Sequence, residues 1–238
     1  MTENPDFNSP ELVRRIAELD IEPRIPEYSL QWTPQIGQET QVAGFFPGGS
    51  VGIQHPLLQD LARLVATSSS CLLAQFPHHE DPKLNKDVRD RFLLAQARAL
   101  AVSQSIIDYA REKPVLLGGK SIGGVLALTA ATRLSERGIL VPNVYMFGVP
   151  LKTLGDVMRH ALEVYGRNGG VVHGFHAPDE YGTPEQIRDF LESTKCRFTF
   201  DAIQEGGHGL GYGDPGSLPI SQSAIEEFRA AFTARLPQ

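Results

Sequence analysis

The stretch Pro114–Leu134, PVLLGGKSIGGVLALTAATRL, constrains this chain more than any other. Val115–Leu117 has the length and apolar character of a buried strand, and the run after Gly124 that of a buried helix. Between them lies Gly119-Lys120-Ser121-Ile122-Gly123, a G-x-S-x-G. A chain that turns this sharply leaves no room for side chains two positions either side of the apex, so glycine stands at both. The apical serine is held in a strained backbone conformation with its hydroxyl above the sheet edge. The helix N-terminus behind it offers unpaired N–H groups and a partial positive charge. A phosphate-binding loop is the rival reading, because Gly119-Lys120-Ser121 supplies its last positions. That motif needs a glycine where Pro114 stands, and it is rejected.

Around this turn, strand and helix patterns alternate from residue 41 onward. Strands are expected at Gln41–Phe46, Ser70–Phe76, Asn143–Val149, Gly170–Phe175 and Cys196–Ile203, besides the one before the turn. Helices are expected after His55-Pro56, over Asp87–Arg111 with a stripe of Val88, Phe92, Ala95, Ala99, Val102, Ile106 and Tyr109, and within 151–170. Thr183-Pro184-Glu185-Gln186 and Ser223-Ala224-Ile225-Glu226 read as capping boxes that open two further helices. Alternation of this kind specifies a mostly parallel twisted sheet with helices on both faces. Residues 1–40 form a separate leading segment, with a helix after Ser9-Pro10-Glu11 and an early strand near Tyr28–Trp32. The domain proper is 41–238.

The 238 residues suffice for one large α/β domain with a sizeable core. The net charge of −6 argues against nonspecific binding to nucleic acid or anionic membrane. No apolar run is long enough to span a bilayer, and MTENPDFNSPELVRR has no apolar signal region, so a cytoplasmic protein is expected. Cys71 and Cys196 are then expected as buried thiols. The His78-His79-Glu80-Asp81 run matches no metal-ligand spacing, and neither metal nor cofactor is implied. Oligomeric state is not readable.

In sheets of this type, functional side chains gather beyond the carboxyl ends of the strands. Ser121, Asp179 and His208 each follow the end of an expected strand. A serine hydroxyl needs an adjacent base, a histidine can take and return its proton, and a carboxylate fixes the tautomer of that histidine. His208 sits in a glycine-rich loop, Gly206-Gly207-His208-Gly209. Glu180 is a rival to Asp179, which is preferred because it comes first after its strand. His160 is expected to face solvent, whereas His78, His79 and Tyr212 could face a substrate or water.

Gly119–Gly124, Asp179–Thr183 and Gly206–Leu210 resemble the three catalytic motifs of the α/β-hydrolase superfamily. They are most similar to its small dienelactone-hydrolase-like members, which have little or no lid. Phe46–Pro56 resembles the strand, glycine loop and His-Pro of the same proteins. The resemblance runs from about residue 41 to 235. Two departures stand out: Pro47 occupies a position where histidine is common, and the nucleophile is serine where dienelactone hydrolases use cysteine. The resemblance implies an α/β-hydrolase fold with an oxyanion hole formed by the N–H groups of Ile122 and Gly49. Gly48 substitutes if the loop register differs, whereas Pro47 has no N–H to give. The expected activity is hydrolysis of a small-molecule ester or thioester by a Ser-His-Asp triad through an acyl-enzyme. The alternative is a catalytically silent fold of the same type used as a binding or scaffold module.

Overall fold

The structure is a computed structural model that describes residues 29–33, 37–49, 52–75, 88–213 and 220–237. Its elements, in chain order, are β1 (Ser29–Thr33), β2 (Gln41–Phe46), α1 (Pro56–Val65), β3 (Ser69–Gln75), α2 (Val88–Ala110), β4 (Val115–Lys120) and α3 (Ile122–Glu136). There follow β5 (Asn143–Phe147), α4 (Leu151–Arg167), β6 (Val171–His176), α5 (Pro184–Glu192), β7 (Arg197–Ala202) and α6 (Gln222–Arg235). The strands pair in the order β1-β3-β2-β4-β5-β6-β7. All pairings from β3 to β7 are parallel, and β1 lies antiparallel on β3. The early strand expected near residue 30 is therefore an edge of the sheet. The helix expected after Ser9 lies outside the described residues, as do His78 and His79.

Strand order dictates where a site can form. From β2 the chain crosses outward to β3, and from β4 it crosses the other way to β5. The carboxyl ends of the adjacent strands β2 and β4 therefore flank the point where the order reverses, which is where sheets of this kind form their binding crevice. Phe46 pairs with Gly119 across these two strands, so the loop after β2 abuts the Ser121 turn.

Side chains alternate between two apolar layers, as the period of a strand demands. One layer packs α2, α3, α4 and α5 on residues such as Val42, Phe46, Leu117, Val144 and Met146. The other packs α1 and α6 on Ala43, Phe45, Leu116, Tyr145, Phe147 and Phe175. Cys71 belongs to one layer and Cys196 to the other, and both are free thiols. Among the described residues, no helix is long and apolar enough to cross a membrane.

Two helix details differ from expectation. In α2, Phe92, Ala95, Ala99, Val102 and Ile106 are buried as the stripe requires, but Tyr109 is 53% exposed and Ala110 takes the next buried place. The step from Ile106 is four residues, not three, which keeps the stripe facing the sheet. In α6 the cap is Ser221, whose side chain accepts from Ala224 N–H. Ser223 instead donates to the Glu205 carboxylate, so the cap lies two residues before the expected one, and with Ala224 at the third helical position no capping box closes there. The box at Thr183 forms in full, with Thr183 and Gln186 each receiving the other's backbone N–H.

β6 carries a buried histidine in a polar ladder. The His173 ring bonds Asn143 Oδ1 at 2.9 Å and Thr199 Oγ1 at 2.8 Å, and it stacks on Tyr145 at 4.5 Å between centroids. Because Asn143 Oδ1 can only accept, Nε2 carries the proton and Nδ1 accepts from the threonine hydroxyl. Burial, with Arg235 nearby, lowers the His173 pKa to about 4.

Two predictions follow from this frame. A Cβ on Gly123 would stand 2.2 Å from Phe46 O and 2.4 Å from Pro47 O, both backbone atoms with nowhere to go. Gly123→Ala should therefore cost about 3 kcal/mol or more in urea unfolding. Between pH 6.5 and 4, the unfolded chain protonates residue 173 while the folded chain holds it neutral, so stability falls as pH falls. The slope from this group approaches about 1.4 kcal/mol per pH unit. Urea midpoints measured from pH 7 to 4.5 should fall less steeply in His173→Gln than in the unmodified chain.

Candidate active site

Ser121 sits at the junction of β4 and α3 with φ 54° and ψ −123°. A positive φ is costly for a residue with a Cβ, and the surrounding packing must impose it. The imposing contacts are visible. Ser121 N–H donates to Phe147 O on the neighbouring strand at 2.7 Å, and the Ser121 carbonyl accepts from Gly124 and Val125 N–H. Gly123 is pressed against the backbone of Phe46 and Pro47, which joins this turn to the loop after β2. Ile122 is the first helical residue, so its N–H has no acceptor within α3. Gly49 lies half-buried in the adjoining loop.

Asp179 follows β6 in the short connection to α5. Its side chain is 1% exposed. Oδ1 accepts from the backbone N–H groups of Tyr181 at 2.7 Å and Gly182 at 3.1 Å. The backbone of Asp179 also exchanges hydrogen bonds with Gly182, closing the loop on itself. Two bonds from α4 hold the loop from outside: Lys152 N–H to Tyr181 O at 3.2 Å, and Lys152 Nζ to Glu180 O at 2.8 Å. Oδ2 is left to accept from His208 Nδ1 at 2.8 Å. Glu180 is exposed and makes no such contact, so Asp179 is the carboxylate at the imidazole.

His208 lies in a single 3-10 turn, Gly207–Gly209, between left-handed residues Gly206 and Leu210. Its side chain is 12% exposed. The ring meets Tyr181 at 4.5 Å between centroids. On another side it covers Gly148, where a Cβ would be 2.7 Å from His208 O and 3.2 Å from Nδ1. Gly148 also has φ +64°, so two constraints keep it glycine. Gly148 follows Phe147, whose carbonyl receives the Ser121 N–H. The imidazole and the hydroxyl-bearing residue thus share one corner of the sheet rim. Among the described residues, Ser121 Oγ makes no hydrogen bond to the ring.

Because the Asp179 carboxylate can only accept, Nδ1 of His208 carries the proton, leaving a lone pair on Nε2. An imidazole so prepared can remove a proton from a hydroxyl. No group of three or more His, Cys, Asp or Glu is arranged to hold a metal ion among the described residues.

Of the other residues around this corner, His176 and Asp60 were not picked out from the sequence, whereas Tyr212 and His160 were. His176, the last residue of β6, is fully buried; its Nδ1 accepts from Val149 N–H at 3.0 Å and Nε2 donates to Gly182 O at 3.0 Å. Burial pushes its pKa below the ordinary histidine range. Its position at a strand's carboxyl end, three residues before the acid, was the available signal. Tyr212 is 6% exposed, turned away from solvent, with its hydroxyl bonded to Asp60. Asp60 also accepts from Arg229 Nε at 2.6 Å and from Nη2 at 2.9 Å, joining α1 to α6. His55 Nε2 donates to Gly213 O at 3.1 Å, a second tie between α1 and the loop of His208. His160 is exposed on α4.

A search of protein families and of curated proteins finds no match to this chain. Solved structures do match it. An α/β serine hydrolase homologue from Coxiella burnetii superposes with a TM-score of 0.65 at 12% identity, over 91% of this chain and 95% of that one. Est1E from Butyrivibrio proteoclasticus, solved with ferulic acid bound, gives 0.62 at 12% identity, over 87% and 94% of the two chains. An α/β serine hydrolase without a lid from Xanthomonas campestris gives 0.61 at 15% identity, over 88% of each chain. At such identities the likeness speaks for architecture, and it agrees with the parallel sheet, its strand order and the direct run of the chain from β5 through α4 to β6. This chain is built on the α/β-hydrolase fold, with no lid among its described residues.

Proposed function

We propose that the protein is a serine hydrolase of small esters or thioesters, with Ser121, His208 and Asp179 as its triad. The observation that carries this reading is the 2.8 Å bond from His208 Nδ1 to an Asp179 carboxylate whose other oxygen is already occupied by backbone N–H groups. A carboxylate held in this way orients one tautomer of one ring. That ring lies over the strand end that bonds the strained serine turn. The serine-hydrolase and ferulate-bound relatives of the same architecture favour the same class of chemistry.

In this reading, Ser121 Oγ attacks the carbonyl carbon while its proton passes to His208 Nε2. The charge that develops on the carbonyl oxygen is met by the N–H groups of Ile122 and Gly49 at the α3 end of the crevice. The tetrahedral adduct collapses, and the departing alkoxide or thiolate takes the proton from His208. Water then attacks the acyl-serine, gives its proton to the same nitrogen, and the acid leaves with Ser121 Oγ reprotonated. Asp179 stays ionised throughout and stabilises the imidazolium at each stage.

A second reading is a scaffold that has kept the fold and lost turnover. Pro47 in the glycine loop and the absence of a Ser121–His208 bond among the described residues favour it. The two readings separate on p-nitrophenyl acetate hydrolysis and fluorophosphonate labelling of the purified chain. Ser121→Ala should abolish labelling and lower turnover by several orders of magnitude, about 10^4-fold or more. Equal rates in variant and parent would discard the triad. Asp179→Asn should cost about 10^4-fold in kcat while leaving the fold intact, because its amide would donate to Nδ1 and move the ring proton to Nε2. A loss of only a few-fold would remove Asp179 from the mechanism.

A further inference from the structure

The acid loop has a second histidine, and we infer that His176 is a positioning residue that sets the His208 ring by tying together the two surfaces against which that ring rests. This rests on the triad reading above. One surface is the acid loop: Asp179 bonds Nδ1 of His208, and Tyr181 lies against its ring. The other is the β5 exit, where Gly148 lies under the same ring. His176 reaches both. Its Nδ1 takes the N–H of Val149, the residue after Gly148, and its Nε2–H goes to the carbonyl of Gly182, the residue after Tyr181.

The ring can do this in one state only. Val149 N–H needs a lone pair on Nδ1, so the proton must sit on Nε2, where Gly182 O accepts it at 3.0 Å and Asp179 Oδ1 lies at 3.5 Å. A protonated His176 would aim an N–H at the N–H of Val149 and lose that tie. Burial of the ring, which is 0% exposed, favours the neutral form. The neutral state has a consequence for the partner. With His176 neutral, no imidazolium competes from the inner oxygen of Asp179 for the carboxylate that faces His208. With Tyr181 and Gly182 N–H groups also on Oδ1, the carboxylate can offer His208 only Oδ2, in one direction.

The test uses three substitutions in the full chain. His176→Leu removes both ties, His176→Gln keeps a donor near the Nε2 position, and His176→Asn keeps an acceptor near the Nδ1 position. Each is measured for kcat and KM on p-nitrophenyl acetate, for thermal unfolding, and for the proton resonance of His208 Nδ1–H. His176→Leu is expected to lower kcat about 10- to 100-fold with KM little changed, the size expected of misplacing a reacting group by about 1 Å. It should also shift or broaden the His208 resonance. Gln and Asn should each recover part of both signals, and they carry the test if the leucine variant does not fold. Folded variants that keep the parent kcat and resonance would overturn the inference, as would a loss confined to KM. If the unmodified chain neither hydrolyses nor labels, the triad reading fails on its own. The His208 resonance in the three variants would still decide whether His176 positions the ring.

Discussion

The structure depends on a steric constraint: a serine with positive φ wedged where two neighbouring strands end and their crossovers part. Nothing about that backbone conformation is favourable in isolation. It persists because Gly123 fits against the Phe46 and Pro47 carbonyls, and because Phe147 O captures the Ser121 N–H from the next strand. The strain is thereby distributed over β2, β4 and β5, which are central strands covered on both faces. A rigid sheet can hold such a turn where a surface loop would relax it.

Around that fixed point, the imidazole and the carboxylate are held by quite different means. The acid loop is closed upon itself by backbone bonds and is pinned from α4 by Lys152. The histidine loop carries a run of left-handed residues, Gly206, Gly207, Leu210, Gly211 and Gly213, and takes its support from helices on the opposite face. Tyr212 and Gly213 bind Asp60 and His55 of α1, and Asp60 in turn grips Arg229 of α6. The imidazole thus comes from a loop rich in left-handed residues, steadied by the buried Tyr212 and Asp60 with the half-exposed Arg229 behind them.

Much of this was legible in the residues. The strand–turn–helix at Ser121, the capping box at Thr183 and the stripe of α2 are local patterns with short-range causes, and local physics suffices to read them. The acid and the imidazole could be nominated because each follows a strand, and the fold places such residues on one rim. Other features depend on contacts between residues far apart in the chain. Tyr212 and Asp60 are 152 residues apart, so no window of sequence reveals that the tyrosine is turned inward. His176 could not be picked out because its two partners are backbone groups, which leave no trace in residue identity. The start of α6 was misplaced because Ser221 and Ser223 both suit a cap, and the Glu205 carboxylate that engages both hydroxyls arrives from another loop.

The tie from Tyr212 through Asp60 to Arg229 has a consequence for the order in which the molecule matures. α6 follows the histidine loop in the chain, yet it braces the loop that bears the imidazole. A nascent polypeptide whose α6 still lay inside the ribosome could already have formed its serine turn and its acid loop, but would have an imidazole without its brace. The bracing of the rim would then be complete only once α6 has emerged and docked on α1, so the imidazole loop is the last part of this corner to be fixed.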